Sequence, residues 1–127
     1  MDEFKTLLSV KKLMNPHLVK VNENITVTEA ATVMLDECVD SVLITNGDLL
    51  KGILTETDIV RRVVAKNIDP KELALTELNQ ENLLTINSDE SIFEARKIME
   101  KNQIHHLIVT EEDSPIGIVA ARDVIKA

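Results

Sequence analysis

The chain repeats itself. Gly52-Ile53-Leu54 and Gly117-Ile118-Val119 lie 65 residues apart (117 − 52 = 65). The same offset relates Glu29-Ala30 to Glu94-Ala95, Met34 to Met99, Thr45 to Thr110 and Asp58 to Asp123. It also relates Asn22 to Asn87 and Leu18 to Leu83, and no gap is needed between Leu13 and Lys126. A tandem duplication of this length constrains the fold more than any composition does. Two copies are too few for a solenoid, in which stacked neighbours bury one another's apolar faces. The expected outcome is two half-domains packed about a pseudo-twofold axis.

Each copy has the same local grammar. Thr26-Val27-Thr28-Glu29 and Ser91-Ile92-Phe93-Glu94 have capping-box spacing, in which a hydroxyl N-cap and a Glu at N3 satisfy each other's orphan donors. Ala30, Val33, Met34 and Cys38 follow at helical spacing, as do Ala95, Ile98 and Met99. A β-rich run comes next (Val42-Leu43-Ile44; Leu107-Ile108-Val109). A turn at Thr45-Asn46-Gly47-Asp48 or Thr110–Pro115 leads to a second strand carrying Ile53-Leu54 or Ile118-Val119. A second helix is expected from about Glu56 or Ala121, with Ile59, Val60, Val63 and Val64 on its apolar side. Asp69-Pro70-Lys71-Glu72, between the copies, reads as a helix start with Asp as N-cap and Pro at N1. The order is β-α-β-β-α, twice, in an α/β fold.

Composition removes several function classes. The chain has no Trp or Tyr and only two Phe, so it has no aromatic platform on which to stack bases. A net charge of −8 opposes binding to a nucleic-acid backbone. Cys38 is the single cysteine, which excludes an intramolecular disulfide and a thiolate zinc cluster. With no apolar run approaching about 20 residues and no signal-peptide layout, a cytoplasmic chain without membrane contact is expected. Three Gly residues form neither a Walker nor a Rossmann pattern, and no nucleophile sits in a catalytic motif, so the chain is expected not to be an enzyme.

Glu29-Ala30 with Met34, and Gly52-Ile53-Leu54-Thr55-Glu56-Thr57-Asp58, together with their second-copy counterparts in the same order, resemble the CBS domain, and the chain resembles a tandem CBS pair, or Bateman module. The corresponding partition is an N-terminal segment over 1–11, a first repeat over 12–68 and a second over 69–127. The resemblance implies a regulatory module that binds an adenine nucleotide (AMP, ADP or ATP) or S-adenosylmethionine and signals by changing shape. It also implies a homodimer associated through helices, here those from Glu56 to Ala65 and from Ala121 onward. Leu43 and Ile108 stand where the family often carries Pro, which changes one pocket wall.

By spacing alone, Thr55 and Asp58 form a helix cap. The resemblance adds a second role, in which the Asp58 carboxylate accepts from a ribose diol and Thr55 donates to sugar or phosphate. In the second copy Ala120-Ala121-Arg122-Asp123 keeps the acid and loses the hydroxyl, so Asp123 is not expected to share a capping box with position 120. Asn102-Gln103-Ile104-His105-His106-Leu107 resembles a phosphate-facing segment of nucleotide-sensing family members. Carried over, this groups Ile53, Thr55 and Asp58 with Leu83, Leu84, Ile104, His105 and His106 as one site. The apolar members would hold adenine, and either imidazole, once protonated, would strengthen a phosphate contact. Adjacent His residues point to opposite faces of a strand, so no metal site is expected.

The mirror-image site would combine Leu18, Val19, Val39, Asp40 and Ser41 with Ile118, Ala120, Arg122 and Asp123. Asp40 stands where the first site has His105, and its charge would repel a phosphate, so this site is expected to be weaker. The same acid, with the overall charge, motivates the S-adenosylmethionine alternative. A ligand-free dimeric scaffold is the third reading. Any signal is expected to act on a separate effector protein.

Overall fold

The computed structural model describes residues 8–78 and 83–126; residues 1–7 of the expected N-terminal segment fall outside them. In chain order the elements are α1 (Val10–Leu13), β1 (Lys20–Asn22), α2 (Val27–Glu37), β2 (Ser41–Asn46) and β3 (Leu49–Thr55). α3 (Glu56–Asp58) runs on as a π-helical segment, Ile59–Val64, before a 3-10 turn at Leu75–Glu77. Then come β4 (Thr85–Asn87), α4 (Ile92–Asn102), β5 (His106–Glu111), β6 (Ser114–Ala120) and α5 (Ala121–Lys126). These fall into two compact units. The first is Val19–Leu83; the second joins the described residues up to Leu18 to those from Leu84 onward.

Each unit holds a three-stranded sheet, β1-β2-β3 or β4-β5-β6, with the first pair parallel and the second antiparallel. The duplication is visible bond by bond. The register slips between Ile44 and Thr45 in one sheet and between Val109 and Thr110 in the other. Thr45 Oγ donates to Val21 O, and Thr110 Oγ to Ile86 O. The Asn22 and Asn87 side-chain carbonyls each accept the backbone N–H two residues on, turning the chain after the edge strand. α2 ends with Cys38 in the left-handed region (φ 56°), and α4 with Gln103 (φ 53°).

The first unit's core is Val21, Val27, Ala30, Met34, Val42, Ile44, Leu54, Val63, Leu75 and Leu78. Its α2 is closed by the full box, with Thr26 N–H and Glu29 N–H each meeting the other residue's side chain. The second unit keeps only half of this. Ser91 Oγ accepts from Glu94 N–H, while the Glu94 carboxylate turns to Lys97.

Three local expectations change. Cys38 leaves the apolar face and is exposed, because the helix stops there in a left-handed cap. Of the four apolar residues after α3, Val63 is buried and Ile59 packs on the core, while Val60 and Val64 are exposed. Successive positions of a helix project in different directions, so the Ile59/Val63 pair faces the core and the Val60/Val64 pair is left exposed. Asp69-Pro70 starts a turn and not a helix: Asp69 Oδ1 accepts from Lys71 N–H, and Asp69 O from Glu72 N–H. The carbonyls of Pro70 and Leu73 accept from Thr28 and Val27, two orphan donors of α2, and are unavailable for a helix of their own.

The second unit recruits a strap from ahead of the first unit. Val10 is fully buried in its core with Ile86, Ile92, Ala95, Met99, Leu107, Val109, Val119 and Val124. Asn15 pairs with Ile118 through both backbone groups (2.8 and 3.0 Å), and Lys11 pairs with Glu111 at 3.2 Å.

The β5–β6 hairpin turns through Glu112 (φ 51°) and Asp113 (φ 65°), both left-handed, as in a type I′ turn. Non-glycine residues pay about 1–2 kcal/mol each there. Glu112→Asn combined with Asp113→Gly is therefore expected to raise stability by about 1 kcal/mol, read as a higher urea midpoint at unchanged m-value. An unchanged or lower midpoint would contradict this turn assignment.

Candidate functional site

The residues of interest gather where an inner strand meets the helix after the hairpin. In the first unit Ser41 pairs with Thr55, and Asp40 O accepts from Glu56 N–H at 3.1 Å. In the second, His106 pairs with Ala120, and His105 O accepts from Ala121 N–H at 2.8 Å. The loop carbonyl thus takes one orphan donor of the helix start in each copy. It fixes Asp40-Ser41 beside Thr55–Asp58 and His105-His106 beside Ala120–Asp123.

The Thr55–Asp58 corner is tightly tied. Thr55 N–H and Oγ–H both donate to Asp58 Oδ2, at 2.9 and 3.0 Å, and Asp58 N–H donates back to Thr55 Oγ at 3.1 Å. The hydroxyl's one proton is held by Asp58, so Thr55 acts here by orienting the carboxylate. Asp58 is half-buried, and its Oδ1 carries no hydrogen bond among the described residues. A carboxylate fixed by one oxygen and open at the other is arranged to receive further donors.

Asp123 corrects one expectation. Its Oδ2 accepts from Ala120 N–H at 3.2 Å, which is half of a capping box even without the hydroxyl. The backbone N–H, and not the missing side chain, supplies the donor. Asp123 is held by one bond where Asp58 is held by two.

The remaining candidates are distributed as follows. Ile53 and Leu83 are half-buried in the first unit with Thr55 and Asp58, as are Val19, Val39 and Asp40. Leu84, Ile104 and His106 are half-buried in the second unit with Leu18, while His105 and Arg122 are exposed and Ile118 is buried. Leu43 N–H donates to Val19 O at 2.8 Å, and Ile108 N–H reaches Leu84 O at 3.5 Å. These are bonds that a Pro at either position could not make. Both tie a candidate site residue, Val19 or Leu84, to its sheet. Among the described residues no group of three His, Cys, Asp or Glu is placed to hold a metal ion, and no helix is long and apolar enough to cross a membrane.

Comparison with known sequences decides the family. The CBS domain matches residues 10–65 and again 75–127. The chain belongs to the CBS-domain family. As a CBS pair it is 31% identical over 115 residues to the CBS domain-containing protein YhcV of Bacillus subtilis, covering 91% of this chain and 81% of that one. It is 30% identical over 107 residues to uncharacterized protein MJ1232 of Methanocaldococcus jannaschii, covering 84% of this chain but only 34% of that protein. The CBS pair therefore spans about a third of that relative's length. Among solved structures, an uncharacterized conserved protein from Pyrococcus horikoshii superposes with a TM-score of 0.86 at 26% identity, covering 95% of this chain and 92% of that one. The two CBS repeats and their mixed α/β fold account for the 65-residue duplication. The strap residues Val10 and Met14 have no identical residue at the 65-residue offset. Their signal was the spacing of Val10, Leu13 and Met14, apolar at i, i+3 and i+4.

Proposed function

We propose that this CBS pair is a regulatory module that binds an adenine nucleotide (AMP, ADP or ATP) and passes the signal to a separate effector protein through a ligand-dependent change of conformation. The observation that carries the reading is the Asp58 carboxylate, fixed through Oδ2 by Thr55 and open at Oδ1. A ribose diol offers two adjacent O–H donors, and hydrogen bonds to an ionised acceptor are the strong ones. In this reading Ile53, Leu83, Leu84 and Ile104 supply apolar contact to the base, and His105 or His106 meets phosphate. The site carrying Asp123, with Leu18, Val19, Asp40, Ser41, Ile118, Ala120 and Arg122, is the weaker one, since Asp123 lacks a hydroxyl partner and Asp40 opposes an anion. Exposed Val60, Val64 and Ile125 on the helices after each hairpin support a homodimer formed through those helices.

Thermal shift tests the ligand class. Any ligand that binds only the folded chain stabilises it by about 2.7 kcal/mol at a hundredfold excess over Kd. AMP, ADP or ATP is expected to raise Tm by several degrees, with GMP as the control. A rise with S-adenosylmethionine alone would transfer the site to that ligand, and a Tm indifferent to all of them would favour a ligand-free scaffold.

A further inference from the structure

We propose that Asn46-Gly47, at the tip of the β2–β3 hairpin, is a site of spontaneous modification. There the asparagine is converted to aspartate and isoaspartate, and the product destabilises the first CBS repeat through Glu23.

Asn46 is the one Asn followed by Gly in the chain. Both residues are exposed, and a Cβ built on Gly47, which sits at φ +60°, would meet nothing within 4 Å. Because Gly47 carries no side chain of its own, its amide nitrogen can approach the Asn46 side chain without the obstruction a larger residue at 47 would impose. After losing its proton to solvent base, that nitrogen bonds to Asn46 Cγ. The Cγ–Nδ2 bond breaks, and the amide leaves as ammonia with a proton from water. The product is a five-membered succinimide. Water then opens the ring. Cleavage at the main-chain carbonyl leaves isoaspartate, and cleavage at the side-chain carbonyl leaves aspartate. No redox partner is required. Asn46 and Leu49 close the hairpin ladder, so the reaction proceeds when this last pair frays, the cheapest opening available to a hairpin end.

The consequence is particular to this copy. Asn46 Nδ2 donates to Glu23 Oε1 at 3.0 Å. A carboxylate in its place turns that bond into a like-charge contact, and isoaspartate adds a backbone atom to a two-residue turn. At the equivalent position of the second copy an acid already stands, Glu111, but it faces Lys11 at 3.2 Å. An acid is thus accommodated there and opposed at position 46. Glu23 N–H also donates to Thr45 O, so displacing Glu23 disturbs the pairing of β1 with β2.

The test is to age the full chain at pH 8 and 37 °C, then to map peptides by mass and label isoaspartate with an isoaspartyl methyltransferase. A gain of about 1 Da at 46–47 with isoaspartyl label is expected. It should be absent in Asn46→Gln, whose longer side chain cannot close the five-membered ring, and much slower in Gly47→Ala. Separately, Asn46→Asp is expected to lower Tm by about 2–4 °C at pH 7, with most of the loss reversed by Glu23→Gln. Modification appearing first at another Asn, or none at all, would overturn the site. An Asn46→Asp chain that melts like the unmodified protein would overturn the role of Glu23.

Discussion

Gly117→Val is expected to unfold the second unit at denaturant concentrations where the unmodified chain is still native. A Cβ at this position would strike the Met14 sulfur and lie 2.9 Å from the Asn15 backbone oxygen. A flexible thioether can move, but the carbonyl cannot, because Asn15 is locked to Ile118 by two backbone hydrogen bonds. Either strand β6 shifts or the strap lifts. Overpacking a fixed core costs about 1–3 kcal/mol, and lifting the strap exposes Val10 and part of Met14 as well. A loss of about 3 kcal/mol or more follows, a large fraction of the 5–15 kcal/mol typical of a native protein. Gly47→Ala provides the contrast. It meets no neighbour, so its cost is the left-handed φ alone, about 1 kcal/mol. Equal urea midpoints for the two variants would show that the strap does not lie across Gly117.

Val10→Asp is expected to have a comparable effect for a different reason. Val10 has no exposed surface and sits among the apolar side chains of the second repeat. An isolated carboxylate there finds no counter-charge, so it must stay protonated or drag α1 into water. Removing the strap from the core forfeits about 1.5–3 kcal/mol for Val10 and a further share for Leu8 and Leu13, which pack on the same cluster. We expect a loss of about 3 kcal/mol and a fall in Tm on the order of 10 °C. Leu35→Asp, at a position 78% exposed, is expected to change stability by less than about 0.5 kcal/mol. If Val10→Asp melted with Leu35→Asp, α1 would not belong to this core.

The repeat offset carried most of the architecture because its matched residues perform matched local work. Ala30 and Ala95 are both fully buried where helix meets sheet, and Met34 and Met99 fill equivalent places one turn on. Thr45 and Thr110 brace the same bulge. Asp58 and Asp123 cap the same helix start. Such residues are legible because each answers to a local rule. What was not legible depends on contacts distant in sequence. The strap from Val10 to Asn15 precedes the first unit yet completes the second, and no periodicity within either copy announces this. The turn at Asp69 had the composition of a helix start, but tertiary bonding from α2 claimed its carbonyls. Glu94 had the capping-box spacing and pairs instead with Lys97. Backbone donors are equally invisible to side-chain reasoning, which is why Asp123 turned out to be capped through Ala120.

The proposed nucleotide site rests on Asp58 being more than a cap, and Asp123 provides the internal control, since both acids hold a backbone N–H three residues earlier. Calorimetric titration of AMP into the unmodified chain, Asp58→Asn and Asp123→Asn separates the two roles most directly. Asparagine retains an acceptor for the cap but not the charge, and hydrogen bonds to a charged group are worth about 1.5–3 kcal/mol each. The account predicts an affinity for Asp58→Asn reduced by roughly 10–100-fold, with Asp123→Asn close to the unmodified chain. Binding undiminished in Asp58→Asn would contradict it.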